Sequence, residues 1–371
     1  MQDEIISPSV ITGLGFALGA AFGAVAARTN FCTLGAISDI LNIGSWTRMR
    51  MWVLAIAVAI FGVWSLETAG LIDTARSLYS GSRLPWLSHI VGGLLFGVGM
   101  ALASGCTSKT LIRLGGGNLK SIVVFLAVGI SAYMTMKGLF GVWRVATIDR
   151  ATVELGSSQA LPVLIAHWAG LKQEAVEPWL APVVALALAA FALTDRSVWR
   201  DEPGAIAGGA LIGLIVVGGW YVTAHIGFVE EHPETLEAAF IATQGNRPES
   251  LSLVAPFAYA LELLMFWSDK SRQLTFGIAS ALGMVAGSLI WSLATRNWRE
   301  EVFPDAKDFK RHLLGGVLMG AGGVTALGCT IGQGLTGIST LSLGSIITVA
   351  AIITGCALTM KWDYWRMMRE A

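Results

Sequence analysis

The sequence predicts an all-α integral membrane protein of nine to ten transmembrane helices, with short broken or re-entrant half-helices and an internal duplication. Three observations carry this. Of 371 residues, 54% are hydrophobic and only 13% charged, where a water-soluble domain carries about 25% charged side chains. Ten apolar segments, near 8–27, 51–71, 88–105, 121–140, 179–194, 204–224, 251–268, 274–294, 312–328 and 344–361, reach or approach the length that crosses a bilayer. A G-x3-G-x8-C/V-T pattern recurs four times. The lipid bilayer is therefore the chain's first partner. The balance of 25 basic and 25 acidic residues offers no field for phosphates, which excludes a nucleic-acid partner.

The opening residues MQDEII carry acids and no base, so the first apolar segment is expected to stay as a span rather than act as a cleaved leader. Three further stretches, Phe31–Ile43, Thr107–Leu119 and Ile331–Leu343, are too short to cross and read as half-helices behind a break. Residues 1–136 form a first repeat half and 179–371 a second. The segment 137–178 joins them as a polar loop holding Arg144, Asp149, Arg150, Glu154, Lys172, Glu174 and Glu177. All belong to one membrane domain.

Basic clusters at Arg48/Arg50, Lys270/Arg272, Lys307/Lys310/Arg311 and Lys361/Arg366/Arg369 all read as cytoplasmic. Simple alternation of ten spans cannot place them on one side, and non-crossing segments would relax that count. The acidic stretch 230–249, with Glu230, Glu231, Glu234 and Glu237, is the candidate for the outer face.

The duplication can be read residue by residue. His89–Thr107 and His312–Thr330 match at 10 of 19 positions without a gap, 223 residues apart. The four units are Gly19/Gly23/Cys32/Thr33, Gly93/Gly97/Cys106/Thr107, Gly209/Gly213/Val222/Thr223 and Gly316/Gly320/Cys329/Thr330. Glycines four apart bare one helix face and let neighbouring backbones approach. The small or polar residues before Cys-Thr predict a break whose free N–H groups need protein, water or a ligand in hydrocarbon. Four such breaks converging at mid-membrane would make a narrow site that favours anions, with sulfur at three positions and valine at the fourth.

A buried cysteine is usually a small apolar side chain, and that reading suits Cys356, which lies outside the repeat. The shared repeat position gives Cys32, Cys106 and Cys329 a functional reading instead. Lys109, with Arg113 and Lys120, is either an ordinary basic flank or a group that draws in an anion. Glu67 and Glu262 stand in apolar runs without an assigned role. No CxxC pair, zinc spacing or GxxxxGK[ST] occurs, so no metal, cofactor or ATP site is expected.

At these residues the chain resembles the YeeE/YedE family of bacterial inner-membrane sulfur transporters. The resemblance covers nearly the whole chain and rests on Asn30-Phe31-Cys32-Thr33 with Gly35 and Asp39, on Ser104-Gly105-Cys106-Thr107, and on Gly328-Cys329-Thr330-Ile331-Gly332-Gln333-Gly334-Leu335. It implies an hourglass of spanning and short helices, a multi-pass place in the bacterial inner (cytoplasmic) membrane, and thiosulfate as substrate. It also implies contact of the passing ion with Cys32, Cys106 and Cys329, and a small cytoplasmic TusA-type sulfur-carrier protein as a partner.

A thiol in an apolar site keeps its proton and offers a weak donor to a soft anion, where three lysines would trap it. The expected path therefore runs from thiol to thiol, aided by Thr33, Thr107 and Thr330, with Val222 as an apolar wall that lets the ion leave. Two other functions stay open at this level. One is a membrane thiol or persulfide redox enzyme, which normally uses closely paired cysteines. The other is a sensor that binds the ion without moving it.

Overall fold

The computed structural model describes residues 7–195, 202–232, 236–269 and 272–370. The MQDEII start, Glu234 and Lys270 lie outside the described residues. The helices are α1 (Pro8–Thr29), α2 (Thr33–Asn42), α3 (Thr47–Thr68), α4 (Trp86–Leu102), α5 (Thr107–Gly115), α6 (Lys120–Lys137), α7 (Leu139–Ala146), α8 (Leu161–Ala169), α9 (Gln173–Leu193), α10 (Pro203–Tyr221), α11 (Val254–Met265), α12 (Phe276–Ala294), α13 (Ala306–Thr325) and α14 (Leu343–Glu370). The chain is an all-α multi-pass membrane protein. Among the described residues, only two two-stranded ribbons join the helices.

Eight helical segments are long and apolar enough to cross a membrane. Each of the ten apolar segments forms a helix, but two depart from a simple span. Helix α11 has only 12 residues. Helix α13 opens with Lys307, Asp308, Lys310 and Arg311, which lowers its hydropathy, yet it runs the depth of the bundle between α4 and α6.

The repeat glycines explain how the bundle closes. Gly19 and Gly23 of α1 press on the backbone of Ser280 and Met284 in α12, and Gly209 and Gly213 of α10 on Met51 and Ala55 in α3. Gly93 and Gly97 of α4 meet Thr348 and Ile352 in α14, while Gly316 and Gly320 of α13 meet Val124 and Val128 in α6. In every unit both glycines seat one parallel neighbour, and a Cβ at any of them would enter that neighbour's backbone or side chains. The partners exchange between the halves. Helix α1 packs on α12 of the second half and α10 on α3 of the first, and α4 packs on α14 and α13 on α6 in the same way.

Equivalent helices run antiparallel. Gly92 of α4 lies against Gly322 and Ala326 of α13, whereas Gly99 lies against Gly315 and Met319. Likewise Leu18 of α1 meets Gly218 of α10, while Thr29 meets Gly208. Such an arrangement is an inverted repeat.

Ion pairs mark the two faces. On one face Lys120 meets Asp308 at 2.8 Å, Arg311 pairs with Asp363, and Arg50 meets Asp195 at 3.7 Å. At the opposite face Lys137 and Arg272 both hold Glu262, at 2.7 and 3.2 Å. The basic clusters at residues 48–50, 307–311 and 361–369 thus share one face, and the acidic stretch after α10 lies on the other. Arg272 corrects its sequence reading: it belongs to the opposite face because Glu262, 4% exposed, requires a cation there. The conflict in the basic signal disappears once that cluster is moved. Glu67 is also satisfied, accepting a hydrogen bond from Thr74.

Candidate functional site

Three repeat units build the same corner. Helices α1, α4 and α13 each end on a left-handed residue, Asn30 (φ 52°), Ser104 (φ 55°) and Leu327 (φ 60°). The following N–H donates five residues back: Phe31 to the Ala26 carbonyl at 3.2 Å, Gly105 to Met100 at 3.0 Å, Gly328 to Gly323 at 2.8 Å. This closure ends a helix while satisfying its last carbonyls. The cysteine comes next in each case.

Cys32 and Cys106 are extended and cap α2 and α5. The Gly35 N–H donates to Cys32 Sγ and the Gly332 N–H to Cys329 Sγ, both at 3.4 Å. The Lys109 N–H lies near Cys106 Sγ without the geometry of such a bond, and Ser108 Oγ lies 3.1 Å from that sulfur. The open first turns of α2 and α5 therefore surround sulfur with N–H groups, an environment suited to negative charge.

The corners meet at the centre. The thiols of Cys32 and Cys106 interact directly. Thr330 stands against Cys106 and Thr107 against Cys329, a reciprocal exchange between equivalent units. Even so, the hydroxyls of Thr33, Thr107 and Thr330 are buried without a hydrogen bond of ordinary geometry. Buried hydroxyls left in this way are costly, and a passing ion would satisfy them. Cys106 and Cys329 are 0% exposed and Cys32 6%.

Two cavities approach the thiols from opposite faces. One of about 400 Å³, on the basic face, is lined by Cys32, Ser104, Lys109, Arg113, Arg48 and Arg311. In it Lys109 Nζ donates to Asn30 Oδ1 at 3.4 Å and Arg113 to the Ser104 carbonyl at 2.7 Å. The other, of about 490 Å³, reaches Leu327 and Gly328 beside Cys329 and is walled by Tyr79, Arg144, Arg247, Glu249 and Tyr259.

The fourth unit differs from its sequence reading, which placed a chain break beside Val222. Helix α10 instead continues through Val222 as a π-helical turn to Ile226, and the Gly227 N–H donates to the Val222 carbonyl at 2.8 Å. The position equivalent to Asn30, Ser104 and Leu327 is Trp220, followed by Tyr221. A buried indole held by Ser339 Oγ at 3.0 Å has no route into the left-handed region, so the helix runs on. Val222 is 6% exposed and packs in the same core as Cys106 and Cys329.

Cys356 is 0% exposed, lies against Gly97 and Met360, and caps none of the three corners. Sequence reasoning missed Asn30 and Ser108 as polar neighbours of the thiols, and it missed Arg144, which α7 carries from the connecting loop to the second cavity. Gln333 did carry a signal, since it stands in the Gly328–Leu335 motif. Its Nε2 donates to the Ala326 carbonyl at 2.9 Å, and its Oε1 accepts from Ser345 at 2.5 Å, which pins the corner before Cys329.

Comparison with known proteins gives a consistent picture. A family model described as "Sulphur transport" matches residues 28–358. The chain is 29% identical to the thiosulfate transporter TsuA of Escherichia coli (strain K12), over 96% of each chain. It is 24% identical to the thiosulfate transporter TsuA of Spirochaeta thermophila, over 95% of this chain and 98% of that one. A shorter match, 28% over 101 residues, joins it to the probable transporter YedE of Escherichia coli.

Proposed function

Because the chain belongs to the sulphur transport family, we propose that it carries thiosulfate, or a closely related small sulfur anion, inward across the bacterial inner membrane along its central thiols. Membership places it among transporters rather than enzymes. The observation that supports the route is the chain of side chains between the two cavities, from Cys329 and Thr107 through Thr330 and Cys106 to Cys32.

The anion reaches Cys329 from the cavity opposite the basic face. It passes to Cys106 and then Cys32 by exchanging S–H, Thr33, Thr107 and Thr330 hydroxyl and backbone N–H donors, none of which holds it with a full charge. Val222 supplies a dry wall. Lys109 draws the ion out beyond Cys32. The basic face is cytoplasmic by the positive-inside rule, so α1 starts at the outer face and α14 ends at the inner one. A small cytoplasmic TusA-type sulfur-carrier protein docks at the basic cavity.

The test is uptake of labelled thiosulfate into proteoliposomes holding the purified protein, with unlabelled thiosulfate and sulfate as competitors. Accumulation above empty vesicles, blocked by thiosulfate and not by equal sulfate, is expected because sulfate lacks the soft terminal sulfur. Binding without accumulation would overturn the reading in favour of a sensor.

A further inference from the structure

The cavity beside Cys329 contains a carboxyl that an anion path would not be expected to hold. Glu249 lies after β1 (Phe228–Val229) and β2 (Ala239–Phe240), outside the spans, with its side chain walled by protein and open only in part, on the cavity side. Its position is set by the fourth repeat unit. Thr223 Oγ1 donates to the Glu249 carbonyl at 2.5 Å, and the Glu249 N–H donates to the same hydroxyl at 3.2 Å. In the other units the equivalent threonine has no ordinary partner, and Thr107 and Thr330 stand against thiols. Here it clamps a carboxyl-bearing loop, so the unit that lost its sulfur brings an acid to the path instead.

The charges around Glu249 set what that acid does. From its own loop Arg247 lines the cavity. Across it, Arg144 is held by Asp149 at 3.0 Å, a pair that is neutral overall. Tyr79 and Tyr259 face Glu249 from the loop after α3 and from α11, and Arg272 beyond Tyr259 is already bound to Glu262. No ion pair to Glu249 is formed among the described residues. With Glu249 ionised, the charges at the cavity, the Arg144–Asp149 pair included, sum to zero and a divalent anion meets a site without net positive charge. With Glu249 protonated, one positive charge is left to receive it.

We propose that this cavity is a proton-linked anion site, in which the dianion binds when Glu249 carries its proton, so that transport depends on the pH of that face. Burial raises the Glu249 carboxyl to about 8, against the two amides of Gln244 and Gly277 that favour its charged form. The titration therefore falls where pH is readily varied. The sign follows: the proton is present below that value, and anion binding weakens as pH rises through it. This inference depends on the transport reading above.

The test is thiosulfate uptake into proteoliposomes, with the pH of the Glu249 face stepped from 6 to 10, for the wild-type protein, Glu249→Gln and Glu249→Asp. Wild-type uptake should fall about tenfold between pH 7 and 9, the slope of one required proton. Glu249→Gln should keep uptake and lose the fall, and Glu249→Asp should keep the fall with a lower midpoint. A second measurement needs no variant. Calorimetry of thiosulfate binding in buffers of different ionisation enthalpy should show uptake of about half a proton per anion at pH 8. Binding without proton uptake, or a Glu249→Gln profile that falls like the wild type, would overturn the proposal. A wild-type protein that moves no thiosulfate at any pH would instead overturn the transport reading.

Discussion

The Cys32 and Cys106 thiols face one another across the two short helices they cap. They come from units 74 residues apart in sequence, and each is delivered by a helix that ends on a left-handed residue two positions earlier. The same corner places Cys329 against Thr107, so the thiols are positioned by helix ends rather than by side chains reaching out from continuous helices. Several consequences can be measured.

The left-handed corners make a backbone prediction. Leu327 holds φ 60°, which costs a non-glycine residue roughly 1–2 kcal/mol. Leu327→Gly should raise thermal stability and preserve uptake. Leu327→Val, branched at Cβ, should lower stability by more than about 1 kcal/mol. Thermal unfolding in detergent, followed by intrinsic tryptophan fluorescence, measures both. Equal midpoints for the two variants would contradict the corner.

The seated glycines make a packing prediction. A side chain at Gly19 would enter the Ser280 backbone, whereas nothing lies within 4 Å of a Cβ at Gly13. Gly19→Val should cost about 1–3 kcal/mol or more and lower recovery of monodisperse protein, while Gly13→Ala should leave the unfolding midpoint unchanged or raised. Size-exclusion profiles and unfolding midpoints report this.

Val222 tests the fourth unit. If it walls the proposed path, it should accept Val222→Cys without loss of fold, with tighter thiosulfate binding and a lower maximal uptake rate. Val222→Asp should fail, since a carboxylate there repels the anion and costs at least ~2.5 kcal/mol to insert at mid-membrane. Uptake by Val222→Asp equal to the wild type would remove residue 222 from the path.

Gln333 tests the support of the Cys329 corner. Gln333→Leu removes the donor to the Ala326 carbonyl and strands Ser345, and should cost about 1–3 kcal/mol of stability. Gln333→Glu keeps the acceptor for Ser345, and loses the donor when ionised. Both should lower the uptake rate more than Cys356→Ala does, measured in the same vesicles.

Much of this architecture was legible because membrane helices and tight corners leave strong marks. Apolar length located ten helices, and the glycine pairs, cysteines and small residues at 104–105 and 327–328 located three corners, whereas α7, α8 and the start of α9 lie in the segment read as a polar loop. What escaped has physical causes. The fourth unit kept its spacing, but Trp220-Tyr221 cannot make the left-handed turn, and spacing alone does not show which residues can. Arg272 looked like its basic neighbours because its partner Glu262 is only near in three dimensions. Glu249 and Arg144 stand in polar segments without periodicity, and only the fold brings them to the cavity beside Gly328.

The most direct test of the thiol path is labelled thiosulfate uptake by Cys106→Ala, Cys329→Ala and Cys356→Ala in proteoliposomes of matched protein content. Cys106→Ala and Cys329→Ala remove the two fully buried thiols of the central exchange and should each reduce uptake by at least about tenfold, the loss of roughly 1.4 kcal/mol at the rate-limiting step. Cys356→Ala, outside the corners, should stay close to the wild type. Wild-type uptake by either Cys106→Ala or Cys329→Ala would contradict passage along the thiols.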